Sequence, residues 1–279
     1  MNLTQRIILD KNGTLTDLSA ILNDPNKNTN TPQIISAQDA IYIGSIYPFN
    51  HKWFEVSTVN SDASTMIIQI WNDSEWQDAV DEIDYTAITG GTLYESGIIQ
   101  FRPHIDKGWS TETDSADVTG LTGTEIYNMY WVKITFSADL SAGMVLKYIG
   151  NRFSSDADLF IHYPDLSNTN IMTAFASGKT DWNDQHFAAS DQIVQHLRTK
   201  SIVIDRSQIL DWNLFKMAAI HKVAEIAYHG LGKTKRDNRK SAAALYKDAI
   251  NVKYFNTDKS NSGTLSKAER KTTSTEMGR

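Results

Sequence analysis

The sequence predicts an α+β protein: an antiparallel, jelly-roll-like β-sandwich, then a small helical bundle, then an extended C-terminal arm. Three observations carry this expectation. All five prolines (Pro25, Pro32, Pro48, Pro103 and Pro164) lie in the first 164 of the 279 residues, and proline breaks helices but suits turns and strand edges. Short β-branched or aromatic runs follow one another in that part with no helical pattern between them. In the proline-free remainder, apolar residues recur at three- and four-residue steps.

The expected organisation follows in chain order. Residues 1–38 form an N-terminal segment and linker, with a polar turn-rich stretch from Asn23 to Pro32. Residues 39–166 form the β-sandwich. Its strands are read at Ala40–Gly44, Trp53–Val56, Met66–Trp71, Gly97–Phe101, Tyr130–Phe136 and Val145–Ile149, each bounded by turn-forming residues. In the fifth, Trp131, Lys133 and Thr135 alternate with Val132, Ile134 and Phe136, which suits a strand with one wetter face. Residues 167–255 form the helical part. Ser190 is a candidate N-cap for a helix over 191–198, and Ser207 for a longer one from Gln208 to His229, stopped by Gly230. A third helix is expected from Arg239 to Val252, with Ala242, Leu245, Tyr246 and Ala249 on one face. Residues 256–279 are polar and read as an arm that a partner would order.

Composition excludes several classes. With 41% hydrophobic and 10% aromatic residues, the chain can build cores, so wholesale disorder is excluded. No apolar run approaches the ~20 residues of a membrane-spanning helix, and Met1–Arg6 lacks the basic and apolar stretches of a signal peptide. Cysteine is absent, which removes disulfides, zinc–thiolate sites and cysteine nucleophiles together. The net charge of −6 is unevenly spread: residues 233–279 hold 12 basic and 5 acidic residues, and the other 232 hold 15 and 28. A basic end on an acidic body suits docking to an acidic surface or a nucleic acid, or else a solvated helix and tail.

Several motifs suggest chemistry and are weighed against plainer readings. Ile7–Thr16 resembles the aspartyl-nucleophile motif of the haloacid dehalogenase superfamily, with Asp10 as nucleophile. The partner magnesium-binding element is missing, and Asn12-Gly13 is also a common hairpin turn. Gly232-Lys233-Thr234 imitates the end of a phosphate-binding loop, but Ala227 stands where that loop needs glycine. Asp258–Glu269 has the frame of an EF-hand loop, with Gly263 at position 6. Ser260 and Ser262 replace two of its usual ligands, so no metal is expected there. The seven histidines are scattered, with no His-x-x-x-His pair, and read as core or interface residues. Carboxylates crowd at Asp73, Glu75, Asp78, Asp81, Glu82 and Asp84; a paired set across a cleft is what glycoside hydrolysis requires. Trp71, Trp76, Trp109 and Trp131 are candidates for stacking on sugar rings, or for the core.

Taken together, Ile41–Ser45 with Pro48–Asn50, Trp71–Trp76, Ser96–Phe101 and Tyr148–Phe153 resemble the β region of tailed-bacteriophage virion proteins. The C-terminal helices followed by Asp258, Gly263, Leu265, Glu269 and Arg270 look like the end of phage head-to-tail connector (adaptor, neck) proteins. That resemblance implies a non-enzymatic virion protein without cofactor. It would form a homo-oligomeric ring, often a dodecamer, below the portal protein. The ring would extend a channel through which packaged DNA passes without sequence-specific binding, and would offer a platform to stopper or tail-tube and nozzle proteins. Under it, the portal-docking arm is carried by Asp258, Gly263, Leu265, Glu269, Arg270, Lys271 and Arg279. The subunit-interface helix is carried by Trp212, Phe215, Ala219, Val223 and Tyr228. The alternative is a phage tail or decoration protein whose sandwich binds glycans, and the least favoured reading is an enzyme acting through Asp10.

Overall fold

A computed structural model describes residues 5–27, 35–103, 108–112, 118–121, 128–252, 254–258, 269 and 272–273. The chain divides into two units: Met1–Asn151 with Asp258–Thr264, and Arg152–Thr257 with Leu265–Arg279. The fold is α+β, an antiparallel sandwich followed by helices.

Among the described residues, the first unit holds ten strands. They are β1 (Gln5–Lys11), β2 (Thr14–Asp17), β3 (Ala40–Ser45), β4 (His51–Thr58), β5 (Met66–Trp71), β6 (Trp76–Asp78), β7 (Val80–Asp84), β8 (Gly97–Arg102), β9 (Tyr130–Phe136) and β10 (Val145–Gly150). One sheet has the order β2-β1-β3-β9-β5-β6 and the other β10-β4-β8-β7, with every pairing antiparallel. A short helix, α1 (Ser19–Leu22), follows β2. The six strands read from the sequence are all present. The N-terminal stretch is itself part of the larger sheet: Ile7 and Leu9 join the core between the sheets, and Ile8 between them faces the other side. Asn12 (φ 49°) and Gly13 (φ 85°) form the β1–β2 turn, two left-handed residues in sequence as tight hairpins require.

The period-two pattern of the larger sheet serves two apolar faces. Ile41, Ile43, Ile68, Ile70, Val132, Ile134 and Phe136 point to the core shared with Phe54, Ile99, Phe101, Leu146 and Ile149 of the smaller sheet. Ile8, Ala40, Tyr42, Trp71 and Trp131 point the other way and pack with Val118, Leu121 and Met129. Thus Lys133 and Thr135 are partly exposed as expected, but Trp131 is fully buried under loop residues. Its ring lies over Gly44, where a side-chain carbon would stand 2.7 Å from it.

The second unit contains α2 (Asp156–His162), α3 (Thr169–Phe175), α4 (Asn183–Thr199), α5 (Lys216–Gly230) and α6 (Arg236–Ala249). It also contains the short strands β11 (Tyr254–Phe255) and β12 (Thr272–Thr273), which pair antiparallel. Two helices were absent from the sequence reading. The helix α2 is set by a capping box, Ser155 with Asp158. Pro164 does not mark the sandwich either; it sits in the first turn of a 3₁₀ helix, where its missing N–H costs nothing. The unit accordingly begins at Arg152 instead of near residue 167.

Two helix starts also differ. Ser190 lies inside α4, where its hydroxyl donates to the His186 carbonyl (2.9 Å) and accepts from the Phe153 backbone N–H (3.2 Å). The long helix begins at Lys216, not Gln208. Asp205 caps a short 3₁₀ turn, Ile209 is extended and bridges Thr257, and the Leu210 N–H donates to the Asn256 carbonyl. The early apolar positions Leu210 and Leu214 imitated a helical stripe by spacing alone. The core of this unit gathers Leu159, Leu166, Met172, Trp182 and Ala189 around Ile220, Val223, Ala224, Ala227 and Tyr228 of α5.

Substituting Gly44→Ala is expected to destabilise the sandwich by about 1–3 kcal/mol, the usual cost of overpacking. Gly143→Ala, with nothing within 4 Å of the added carbon, should move stability by less than about 0.5 kcal/mol. Urea denaturation followed by tryptophan fluorescence checks both.

Candidate interaction surfaces

Two surfaces of opposite charge stand out, one on each unit. Residues 1–151 carry 8 Lys+Arg against 19 Asp+Glu, whereas 152–279 carry 19 against 14. Between Lys52 and Arg102 there is no basic residue at all, while nine carboxylates occur. The sequence cluster Asp73, Glu75, Asp78, Asp81, Glu82 and Asp84 is placed by β6, β7 and the turn before them. These strands end the two sheets, so the carboxylates line the sandwich's open edge. Asp81 pairs with Arg102. Asp84 accepts from the Thr86 backbone N–H (2.8 Å), and Asp78 accepts from Gln69 (2.9 Å). Burial raises the Glu82 pKa above the ordinary glutamate range; Asp78 nearby adds to this, and a hydrogen bond from the Ile68 backbone opposes it.

On the second unit, α6 and the turn before it expose Lys233, Arg236 and Lys240. Lys235 is instead engaged with Asp165 (2.9 Å) and Arg239 with His229 (2.8 Å). The expected apolar face of α6 is thin: Ala242 is buried, but Leu245 is 44% exposed.

The residues singled out from the sequence fall as follows. Asp10 accepts from the Gly13 backbone N–H (2.8 Å) and so holds the hairpin turn. Trp71, Trp109 and Trp131 are buried, so their faces are not open to sugars. Trp76 is half-buried, tilted against Tyr42 and edge-on to Trp71, with its indole N–H donating to the Thr119 carbonyl (2.8 Å). The expected interface residues Trp212, Phe215, Ala219, Val223 and Tyr228 are all buried within the chain, from 6% exposed for Trp212 down to 0%. Their apolar excess is spent on the chain's own core, because α5 is enclosed on several sides, and they cannot form a subunit contact as placed. In the expected arm, Asp258 and Glu269 are likewise buried, and Asn256 and Thr257 are tied to residues 209–211. The start of that arm is therefore part of the fold. Gly263, Leu265, Arg270, Lys271 and Arg279 lie outside the described residues. Among the described residues, no group of three or more His, Asp or Glu could hold a metal, and no helix is long and apolar enough to cross a membrane.

One constellation escaped the sequence reading. The Ser154 hydroxyl lies 2.7 Å from His186 Nδ1, and His186 Nε2 lies 3.1 Å from Asp156. Burial, then Arg152, lowers the His186 pKa to about 4 despite Asp156, so the imidazole is neutral. Burial opposes the Asp156 charge. Hydrogen bonds from His186 and the Trp182 backbone, together with Arg152, outweigh it and hold the carboxyl below its usual range. The ionised carboxylate accepts only, so Nε2 donates to it and Ser154 donates to Nδ1. This is the hydrogen-bond order of a serine hydrolase triad. However, Ser154 is 2% and His186 0% exposed, so no substrate reaches the hydroxyl. The trio fastens the start of α2 to α4. Its only trace in the sequence was the Ser154–Asp156 spacing, since His186 is 30 residues from Asp156.

Comparison with protein-family models, with curated proteins and with solved structures returns no match to the chain.

The neutral His186 has a definite pH signature. Its folded pKa is depressed from 6.5 to about 4, so the unfolded state binds the extra proton between those values. Stability is full above pH 6.5 and falls as the pH drops towards 4, by about 3 kcal/mol. His186→Gln should reduce that slope, as read from urea midpoints by far-UV circular dichroism at a series of pH values; the part that remains includes His51, whose pKa burial and then Lys52 lower to about 3.

Proposed function

We propose that this chain is a structural, non-enzymatic protein of a tailed-phage virion, a head-to-tail adaptor that forms a ring below the portal. The observation that carries the reading is the division of charge between an acidic sandwich and a basic helical unit, together with the resemblance to connector proteins noted above. An acidic and a basic face on one chain let it meet two different neighbouring proteins, with charge steering each encounter. Exposed Lys233, Arg236 and Lys240 on α6 give the helical unit a cationic face for an acidic partner such as a portal. In this reading the ring prolongs the DNA channel, and the sandwich units carry the docking platform for stopper or tail proteins.

Because residues 254–258 belong to the fold, removing the whole segment 256–279 would confound docking with unfolding. Docking is better tested with Lys233→Glu/Arg236→Glu/Lys240→Glu, and separately with Arg270→Glu/Lys271→Glu/Arg279→Glu. Full-length chain mixed with the portal ring encoded beside it is expected to give a stoichiometric ring-on-ring complex by native mass spectrometry. At least one charge-reversed variant, still folded by circular dichroism, should lose it. Failure of the unaltered chain to bind the portal would overturn the proposal.

A further inference from the structure

The open edge of the sandwich combines three properties. First, backbone is available there. Among the described residues, the strand β7 has a neighbour, β8, on one side only, and the chain reaches it from β6 through Ala79, whose N–H donates to the Ile68 carbonyl (2.9 Å). The Tyr85 N–H donates to the Ile98 carbonyl of β8 (2.9 Å). Antiparallel alternation therefore turns the Asp84 N–H away from β8, whereas Glu82 lies inside the irregular stretch of the register. Second, apolar side chains are exposed along it: Ile67 (40%), Val80 (36%), Ile83 (42%) and Ile88 (43%). Beside β7 opens a groove of about 210 Å³, with Met66, Ile68 and Ile99 in its wall and Glu82 and Asp84 among its lining. That volume is below the roughly 300–1,000 Å³ of small-molecule sites and suits an inserted side chain. Third, of the carboxylates along this edge, Asp81 alone has a cationic partner among the described residues.

We propose that this edge is a docking site for an extended, cationic segment of a partner polypeptide, whose lysine or arginine stem lies in the groove while its charge meets Glu82. The occupant is argued from charge. Two copies of this edge would set carboxylates against carboxylates, and Asp81 (φ 53°) lies within an irregularity in the β7–β8 register. Both features are devices that discourage pairing of like edges. A basic strand meets no such repulsion. It gains backbone pairing, burial of its aliphatic stems against the exposed isoleucines, and ion pairs in a partly desolvated groove. This inference does not depend on portal docking, which was assigned to the other unit.

The test uses the full-length chain and a fluorescein-labelled, end-blocked peptide of alternating lysine and valine, read by fluorescence anisotropy. Binding is expected with Kd on the order of 10–100 µM at about 50 mM salt, weakening severalfold at about 500 mM. A glutamate–valine peptide should not bind. Glu82→Lys, at an exposed position that leaves the core intact, should weaken binding at least about tenfold, and Glu82→Gln about threefold. The proposal is overturned if the basic peptide fails to bind at millimolar concentration, or if Glu82→Lys binds as tightly as the unaltered chain. It is equally overturned if sedimentation shows a self-association that Glu82→Lys abolishes, since a second copy would then occupy the edge.

Discussion

The larger sheet is apolar on both faces, and the rest of the sandwich follows from that constraint. One face must be covered by the smaller sheet. The other must be covered too, and residues 118–121 and 128–129 bring Val118, Leu121 and Met129 over Tyr42, Trp71 and Trp131. Gly44 is required beneath the Trp131 ring. The second face is covered around Trp131 but stays partly open at Ile67, Gln69, Lys133 and Thr135, and the sheet edges are open as well. The β6–β7 edge is the one that gathers carboxylates, exposed isoleucines and a groove.

The helical unit follows the same logic. The helix α5 is lined by small and apolar residues on several sides because α4, α6 and α2 each take a share of it. Little of its apolar surface remains for another subunit, and the cationic side chains of α6 form the outward chemistry instead. Several polar groups are paired locally: Ser154, His186 and Asp156 form one buried chain of hydrogen bonds, while Tyr228 and Lys235 converge on Asp165. The price of such burial is sensitivity to acid, since a neutral histidine in the fold must give way to a charged one outside it.

Strands were legible because β-branched runs bounded by Gly, Asn and Asp have few alternatives, and Met66–Trp71 and Tyr130–Phe136 were read to the residue. The hairpin at Asn12-Gly13 was legible for the same reason. The second buried face was not, because Trp131 in an alternating strand looks the same whether water or a loop covers it. Helix starts failed where side chains act against type: Ser190 bonds backward inside a helix, and Leu210 sits at helical spacing in an extended segment. The carboxylate cluster was visible in the sequence, but its gathering on one edge depends on the chain passing from one sheet to the other at Ala79. His186 could not be joined to Asp156 by local pattern, because a fold brings them together.

An acidic sandwich and a basic helical unit suit the assembly role proposed above, in which recognition rests on charge and shape. The most direct measurement is electron cryomicroscopy of purified virions produced by the genome that encodes this chain. The sandwich and its helical unit are expected to fit density at the vertex, between portal and tail, in a ring of identical copies. Density for the chain on the capsid surface or the tail fibres, or its absence from the particle, would rule out the adaptor role.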